Sequence, residues 1–574
     1  MAKQVVSLSS FPFEGTTYPA GALITFLDAD KADWLRGRFL VSDSTTDIAA
    51  AIAASARTFK HVNRNAPGGA AGGVNPRRTA CIVGTVGHSK TNMGFGPASG
   101  GYNGLAGDPG YTSNGWPAHL IWFSKALITF RNYAVSGSSS AAMPGQLRAL
   151  LAEGPMDVLS VYNGGVNETR DYQETIADIF LTVRMAVEAG VPRIAVWTED
   201  PSEGYLEGSA TRISNVNAAI RTLPLIYGDR VRVVDIARIG SNPGDVYGSA
   251  YAGVLADLTY DITHGNMTMA SLGGRLFARV GFDWFAPFAF ATNRGDVGNL
   301  LTNGRMGGRV TASPGLTNAQ QYSAGPTDWI TRRGGAGVTY RVTKQRTMPI
   351  RYDVVNAGVA VEASLRVKPA IRNGLHYIAL TDGTFTTAPP TGGTPFKPMA
   401  ADAGGVVWMP VPENDLLAYP DPDELTVFDF FTNTTGATDF VETYTDIPIA
   451  KFSSRQGVRA GTLCHAMDSA IGCPVARLMF LGLDNTTVLR NAWGMAPQVI
   501  LNASTSPYML PMSREGGLLL TPAFDVPESV GLVRLSVRLF GMGGGPVHVT
   551  DDLENGKIPC RMGLSQGFVF EGNA

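Results

Sequence analysis

Between residues 77 and 288 short, mainly apolar runs alternate with stretches of helical period. The runs 80–83, 158–162, 194–197 and 231–234 are of strand length and lack the polar alternation of a half-exposed sheet, which predicts interior strands of a parallel sheet. Between the second and third runs, Ile176, Ile179, Phe180, Val183 and Val187 recur at spacings of three and four. They stop just before Gly190 and Pro192, so a helix with one apolar face is expected there. Leu272, Leu276, Phe277 and Val280 predict a further helix. Strand, helix, strand at this spacing is a βαβ unit, and the region reads as α/β.

Beyond about residue 290 the helical period disappears. Short runs rich in Val, Thr, Tyr and Phe are broken by Gly, Pro, Asn and Asp, at intervals of about 8 to 12 residues that suit β-sandwiches or jelly rolls. The stretch 299–329 and the alternating segments LLLTPAFDV and LVRLSVRLF within 516–549 stand out. Residues 1–75 differ again. An apolar run at 22–27 and an alanine-rich helical stretch at 47–56 precede a Gly- and Pro-rich segment at 66–76 that reads as a linker. The expected division is 1–75, a small N-terminal attachment domain with its linker; 76–288, the α/β domain; 289–450, a β-sandwich module; and 451–574, a C-terminal β module. A chain of 574 residues accommodates about three or four domains.

The net charge of −2 and the 16% of charged residues mark no surface for nucleic acid or an anionic membrane. No run of about 18 apolar residues predicts a membrane span, and the segment MAKQVVSLSS lacks the apolar core of a signal peptide. Synthesis in the cytoplasm without membrane insertion is expected. Four scattered cysteines make no disulfide framework, and free thiols are expected, with a Cys464–Cys473 bridge over a short loop as the alternative. The seven histidines stand singly, without zinc-binding spacing, so neither metal nor cofactor is expected.

The segment 81–89, CIVGTVGHS, sets Ser89 just after a buried strand, between small residues that permit a tight turn. Open α/β sheets bind ligands outside the carboxyl ends of their strands. Gly137 follows the stretch Phe130 to Ser136, where its N–H is a candidate anion donor or part of an ordinary turn. After the run 158–162 comes Asn163-Gly164-Gly165-Val166-Asn167-Glu168. The Asn167 amide is a candidate oxyanion donor or a helix cap. Asp261 and His264, three residues apart, fit on one tight loop. The aspartate would fix the imidazole tautomer while the other ring nitrogen faces the serine.

Taken in order, these pieces resemble the four sequence blocks of the SGNH hydrolases, also called GDSL-type esterases, over about 210 residues of the chain. The resemblance sets Ser89 as nucleophile, Gly137 and Asn167 as oxyanion donors beside the Ser89 N–H, and Asp261 with His264 as the acid–base pair. It implies a three-layer α/β/α fold and an acyl-enzyme mechanism. Two positions depart from the family pattern: Gly87-His88-Ser89 stands where Gly-Asp-Ser is usual, and Glu168 where an aspartate is usual. His88 is therefore a candidate substrate contact.

The arrangement, an SGNH-like domain between a small N-terminal domain and β modules, also looks like phage tail fibres and tailspikes that deacetylate bacterial surface polysaccharide. That likeness implies O-antigen or capsule as substrate, other virion tail proteins as partners through the N-terminal domain, a homotrimer, and a place in the virion tail. Trp329, Tyr340, Trp408 and Tyr508 are candidates to stack on sugar faces, with burial in the core as the competing reading. The alternative function is an inactive receptor-binding or structural tail protein that keeps the SGNH-like fold.

Overall fold

The computed structural model divides the chain into two compact units, Met1–Pro76 and Arg77–Ala574. It describes strands at 3–7, 11–13, 16–18, 23–26, 41–42 and 58–61 in the first unit. In the second it describes residues 81–96, 109–200, 209–240, 264–265, 267–287, 299–304, 306, 326–334, 338–346, 358–361, 365–369, 371–386, 390–394, 398–412, 424–432, 440–466, 472–496, 517–541 and 560–571. The first unit contains a four-stranded sheet in the order 41–42, 3–7, 23–26, 58–61. The segments 47–56 and 66–76 lie outside the described residues.

The second unit opens with β1 (Cys81–Gly87), β2 (Gly110–Thr112), α1 (Trp116–Ser124), β3 (Ile128–Asn132), α2 (Met143–Ala152), β4 (Val158–Tyr162), α3 (Tyr172–Glu188), β5 (Ile194–Trp197), α4 (Ser209–Ile220), β6 (Val231–Val234) and α5 (Met267–Val280). Five of the strands form a sheet in the order β6-β5-β4-β1-β3, and every pairing in it is parallel. Successive residues of a strand point to opposite faces, and each face has its own core. Val83, Val158, Tyr162, Ala195 and Trp197 join Trp116, Leu120, Ile121 and Phe277 on one side. Val86, Leu159, Val161, Ile194 and Val196 join Met143, Leu147, Ile179, Val183 and Val216 on the other. Burial on both faces is why these strands read as mainly apolar runs. Helix α3 begins with a capping box in which Asp171 accepts from the start of the helix and Glu174 reaches back.

Ten strands of two larger sheets follow in the β-rich part: β7 (Ile330–Gly334), β8 (Val338–Arg346), β9 (Glu424–Thr432), β10 (Phe440–Pro448), β11 (Arg459–Ala466), β12 (Gly472–Gly482), β13 (Val488–Ala496), β14 (Gly517–Leu520), β15 (Val530–Gly541) and β16 (Cys560–Phe570). One sheet runs β7-β10-β15-β12-β13-β2 and the other β8-β9-β16-β11-β14. Pairings cross residue 450: β10 lies against β15, and β9 against β16. Stretches on the two sides of that position therefore share both sheets, and 450 is not a boundary between separate modules. A small hydrophobic cluster of its own forms in 360–412 around Tyr377, Phe385 and Trp408. Cys464 is buried.

The β-rich part is not separate from the α/β domain either. Strand β2 leaves the α/β region to pair in parallel with β13, and Trp493 N–H donates to the Pro109 carbonyl at 3.0 Å. Arg459 on β11 donates to Thr129 Oγ1 on β3 at 2.7 Å. The Trp122 ring of α1 lies so close to Gly517 that a Cβ there would sit 2.1 Å from it. Buried residues of both regions belong to one cluster.

Candidate active site

The carboxyl edge of the parallel sheet gathers the chemistry. Strand β1 ends at Gly87, whose φ of +147° and whose approach to the Tyr162 carbonyl exclude any side chain: a Cβ would lie 2.1 Å from that oxygen. Gln146 of α2 clasps the same residue, accepting from the Gly87 N–H at 2.8 Å and donating to its carbonyl at 3.1 Å. His88 then adopts an extended conformation and caps the helical turn Ser89–Asn92, its Nδ1 accepting from the Lys90 N–H at 3.3 Å. Ser89 therefore stands at the head of the turn, 8% exposed. The Nε2 of His264 lies 2.9 Å from Ser89 Oγ across 175 residues of chain. His264 is half-buried, in the loop before α5. Asp261 lies outside the described residues.

Gly137 is exposed, with φ of +79° in the left-handed region. Its loop is pinned to the nucleophile turn, because Ser138 Oγ donates to the Gly87 carbonyl at 2.8 Å and the Val135 N–H donates to the same carbonyl at 3.1 Å. The Asn167 amide donates to the Ser138 carbonyl at 3.2 Å, and so does the amide of buried Asn163. The structure thus joins the loops of Gly137 and Asn167, with one hydrogen of the Asn167 amide spent on the loop itself. Glu168 is held down to about 2 by hydrogen bonds from Arg170, against the opposing effect of burial and with help from Ser140.

His88 does not face a ligand. It is wholly buried, tilted against the Tyr162 ring, and its Nε2 lies 3.2 Å from Glu199 Oε2 while Nδ1 serves as the cap. Both ring nitrogens are engaged inside the protein, so the expected substrate contact is replaced by a role in fixing the turn. Glu199, two residues past the end of β5, is the hub of this arrangement. Its Oε1 lies 2.7 Å from Lys90 Nζ, and its Oε2 accepts from the Gly164 N–H at 2.8 Å. Lys90 also pairs with Asp200 at 2.7 Å, and Tyr162 OH donates to the same Asp200 oxygen. Burial pushes the Glu199 carboxyl up, but Lys90 and His88 outweigh it and hold the group well below the usual carboxylate range. One carboxylate therefore ties both neighbours of Ser89 to the loop that carries Asn163 and Asn167. Glu199, Lys90, Asn163 and Gln146 were not singled out from the sequence. Only Asn163, in an Asn-Gly-Gly turn at a strand end, carried a local signal.

Trp329 and Trp408 are core residues, each 2% exposed. Their indole N–H groups are satisfied by the Asn303 carbonyl and by Asp402, so they are not platforms for sugars. The Tyr340 side chain and Tyr508 lie outside what is described. Among the described residues no cluster of three His, Cys, Asp or Glu side chains is placed to hold a metal ion. No described helix is long and apolar enough to cross a membrane.

No protein-family model matches the chain, and no curated protein does. Solved structures that resemble part of it include a member of the lipolytic protein G-D-S-L family from Veillonella parvula. That protein is 17% identical, with a TM-score of 0.25, over 36% of this chain and 97% of its own. An acetylxylan esterase from Geobacillus stearothermophilus is likewise 17% identical, with a TM-score of 0.27, over 36% of this chain and 97% of its own. At such identities and scores, the reading of the site rests on its own geometry.

Proposed function

We propose that this chain is a serine esterase that removes O-acetyl groups from bacterial surface polysaccharide. The observation that carries the reading is the 2.9 Å approach of His264 Nε2 to Ser89 Oγ at the carboxyl edge of a parallel sheet. A serine hydroxyl becomes an effective nucleophile when an adjacent base can take its proton. His264 accepts the proton as Ser89 Oγ bonds to the ester carbonyl carbon, and the oxyanion is received by the N–H groups of Ser89 and Gly137 and the remaining Asn167 amide hydrogen. Collapse breaks the bond to the alcohol, which leaves with the proton from His264. Water, deprotonated by His264, then attacks the acyl-Ser89 ester, and the acid departs as Ser89 recovers its proton. Asp261 is assigned the ring orientation, three residues before His264.

The setting is that of a phage tail fibre or tailspike acting on O-antigen or capsule. The separate N-terminal unit suits attachment to other tail proteins, and the likeness to such fibres implies three copies in the working assembly. The full chain is expected to release acetate from 4-nitrophenyl acetate and from O-acetylated host polysaccharide, and Ser89→Ala to reduce both by about 10³-fold or more. Equal rates for wild type and variant on both substrates would instead leave a receptor-binding protein that keeps the fold without the chemistry.

A further inference from the structure

The helical turn Ser89–Asn92 is four residues long, too short to hold its own shape in water. Its geometry is set by what its two ends are fastened to. The leading end is tied to the α/β domain through Gly87, held by Gln146, and His88, held by Glu199. The trailing end is tied elsewhere. The Met93 N–H donates to the Ser89 carbonyl at 2.8 Å, and the residues that follow run along strand β2. Phe95 pairs antiparallel with Tyr111. The Gly96 N–H donates to the Gly110 carbonyl and the Thr112 N–H to the Gly94 carbonyl, each at 3.1 Å. Thr112 adds its hydroxyl, which donates to the Met93 carbonyl at 2.5 Å.

The other edge of β2 belongs to the β-rich part. Gly110 stands opposite Trp493, and Thr112 opposite Ala496, in the parallel pairing with β13. Strand β2 is thus the last strand of the six-stranded sheet, with the exit segment of the nucleophile turn laid along its outer edge. There is no slack between the three segments. A Cβ on Gly110 would lie 2.6 Å from the Gly96 carbonyl oxygen and 3.2 Å from Trp493 Cβ. Tyr111 and Thr112 are buried, and the Tyr111 ring meets Phe95 and Phe130 edge-on. Backbone groups paired in such a place have no water to turn to, so the ladder keeps its register.

We infer that the β-rich part is a working part of the esterase: β13, acting through β2, sets the position of Ser89, and Thr112 is the positioning residue at the joint. The inference rests on the esterase reading and adds to it that Ser89 takes its place from two supports, the α/β domain before it and the β-rich sheet after it. Displacement of a reacting group by about 1 Å costs on the order of 10²-fold in rate.

The test measures kcat and KM of the full chain on 4-nitrophenyl acetate, per folded molecule, with the rate of fluorophosphonate labelling at Ser89 as a second reading. Thr112→Val, which keeps the shape and removes the hydroxyl, is expected to lower kcat and labelling together by about tenfold with KM unchanged, and Thr112→Ser to stay near wild type. Gly110→Ala, which parts β2 from both neighbours, is expected to cost about a hundredfold. Glu442→Gln, in the same sheet but away from β2, is the comparison and keeps its kcat. Thr112→Val and Gly110→Ala at wild-type kcat, or Glu442→Gln as slow as they are, would overturn the inference while Ser89-dependent turnover stands. Turnover of 4-nitrophenyl acetate that Ser89→Ala leaves intact would overturn the esterase reading, and this inference with it.

Discussion

Two glutamates, Glu199 and Glu442, are wholly buried among cations, yet they do different things because of where they sit. Glu199 follows the carboxyl end of a parallel strand and holds groups from separate loops: His88 and Lys90 around the nucleophile turn, and the Gly164 N–H. Glu442 lies within strand β10, directly opposite Arg332 on β7 and Arg538 on β15. Arg477 of β12 and Ser536 complete its shell. Burial raises its carboxyl, but Arg538, Arg477 and Arg332 hold it down to about 2. The same three guanidinium groups lie over the rings of Phe440, Trp493 and Tyr444, contacts that offset part of the cost of burying them. A buried charge cluster is therefore no signature of an active site. Inside a ladder it fixes the pairing of strands; at the carboxyl edge of a parallel sheet it holds loops around a reactive group.

The largest effect expected from this contrast is on stability. Glu442→Gln leaves three arginines without their anion and should cost about 3–5 kcal/mol, read by calorimetry as a lower Tm, with kcat per folded molecule unchanged. Glu199→Gln should also destabilise, but its distinguishing effect is kinetic. A loosened nucleophile turn is expected to cost about 10²-fold in kcat with little change in KM. If Glu199→Gln lowered Tm and left kcat intact, the two glutamates would be equivalent and the contrast would fail. More gradual is the dependence on acid. A carboxylate whose folded pKa is depressed contributes stability that is fully present above its unfolded value and lost as pH falls through the folded one. For Glu442 that window runs from about 4.5 down to about 2, at a slope of at most about 1.4 kcal/mol per pH unit. Urea midpoints measured across this range should fall for wild type and stay flatter for Glu442→Gln.

The parallel sheet was legible because burial on both faces leaves a mainly apolar run, and the helix after β4 because its period and its Gly190 stop are local. Ser89 and His264 were legible through the order of the pieces, although 175 residues separate them. Glu199 was not. It stands in an ordinary Thr-Glu-Asp after a strand, 111 residues from His88, and nothing local announces which loops a carboxylate will tie. His88 was misread for the same reason: a histidine beside a nucleophile looks the same in sequence whether its ring turns inward or outward. The division near 450 failed because antiparallel partners such as β10 and β15, roughly ninety residues apart, are specified by registry rather than by any local pattern.

The central claim, that Ser89 is a nucleophile activated by His264, is tested most directly by treating the full chain with a fluorophosphonate and mapping the adduct by mass spectrometry. The account predicts one phosphonyl group on Ser89 in the wild type, and about 10³-fold slower labelling in His264→Ala. An unlabelled Ser89, or labelling as fast without His264, would contradict it.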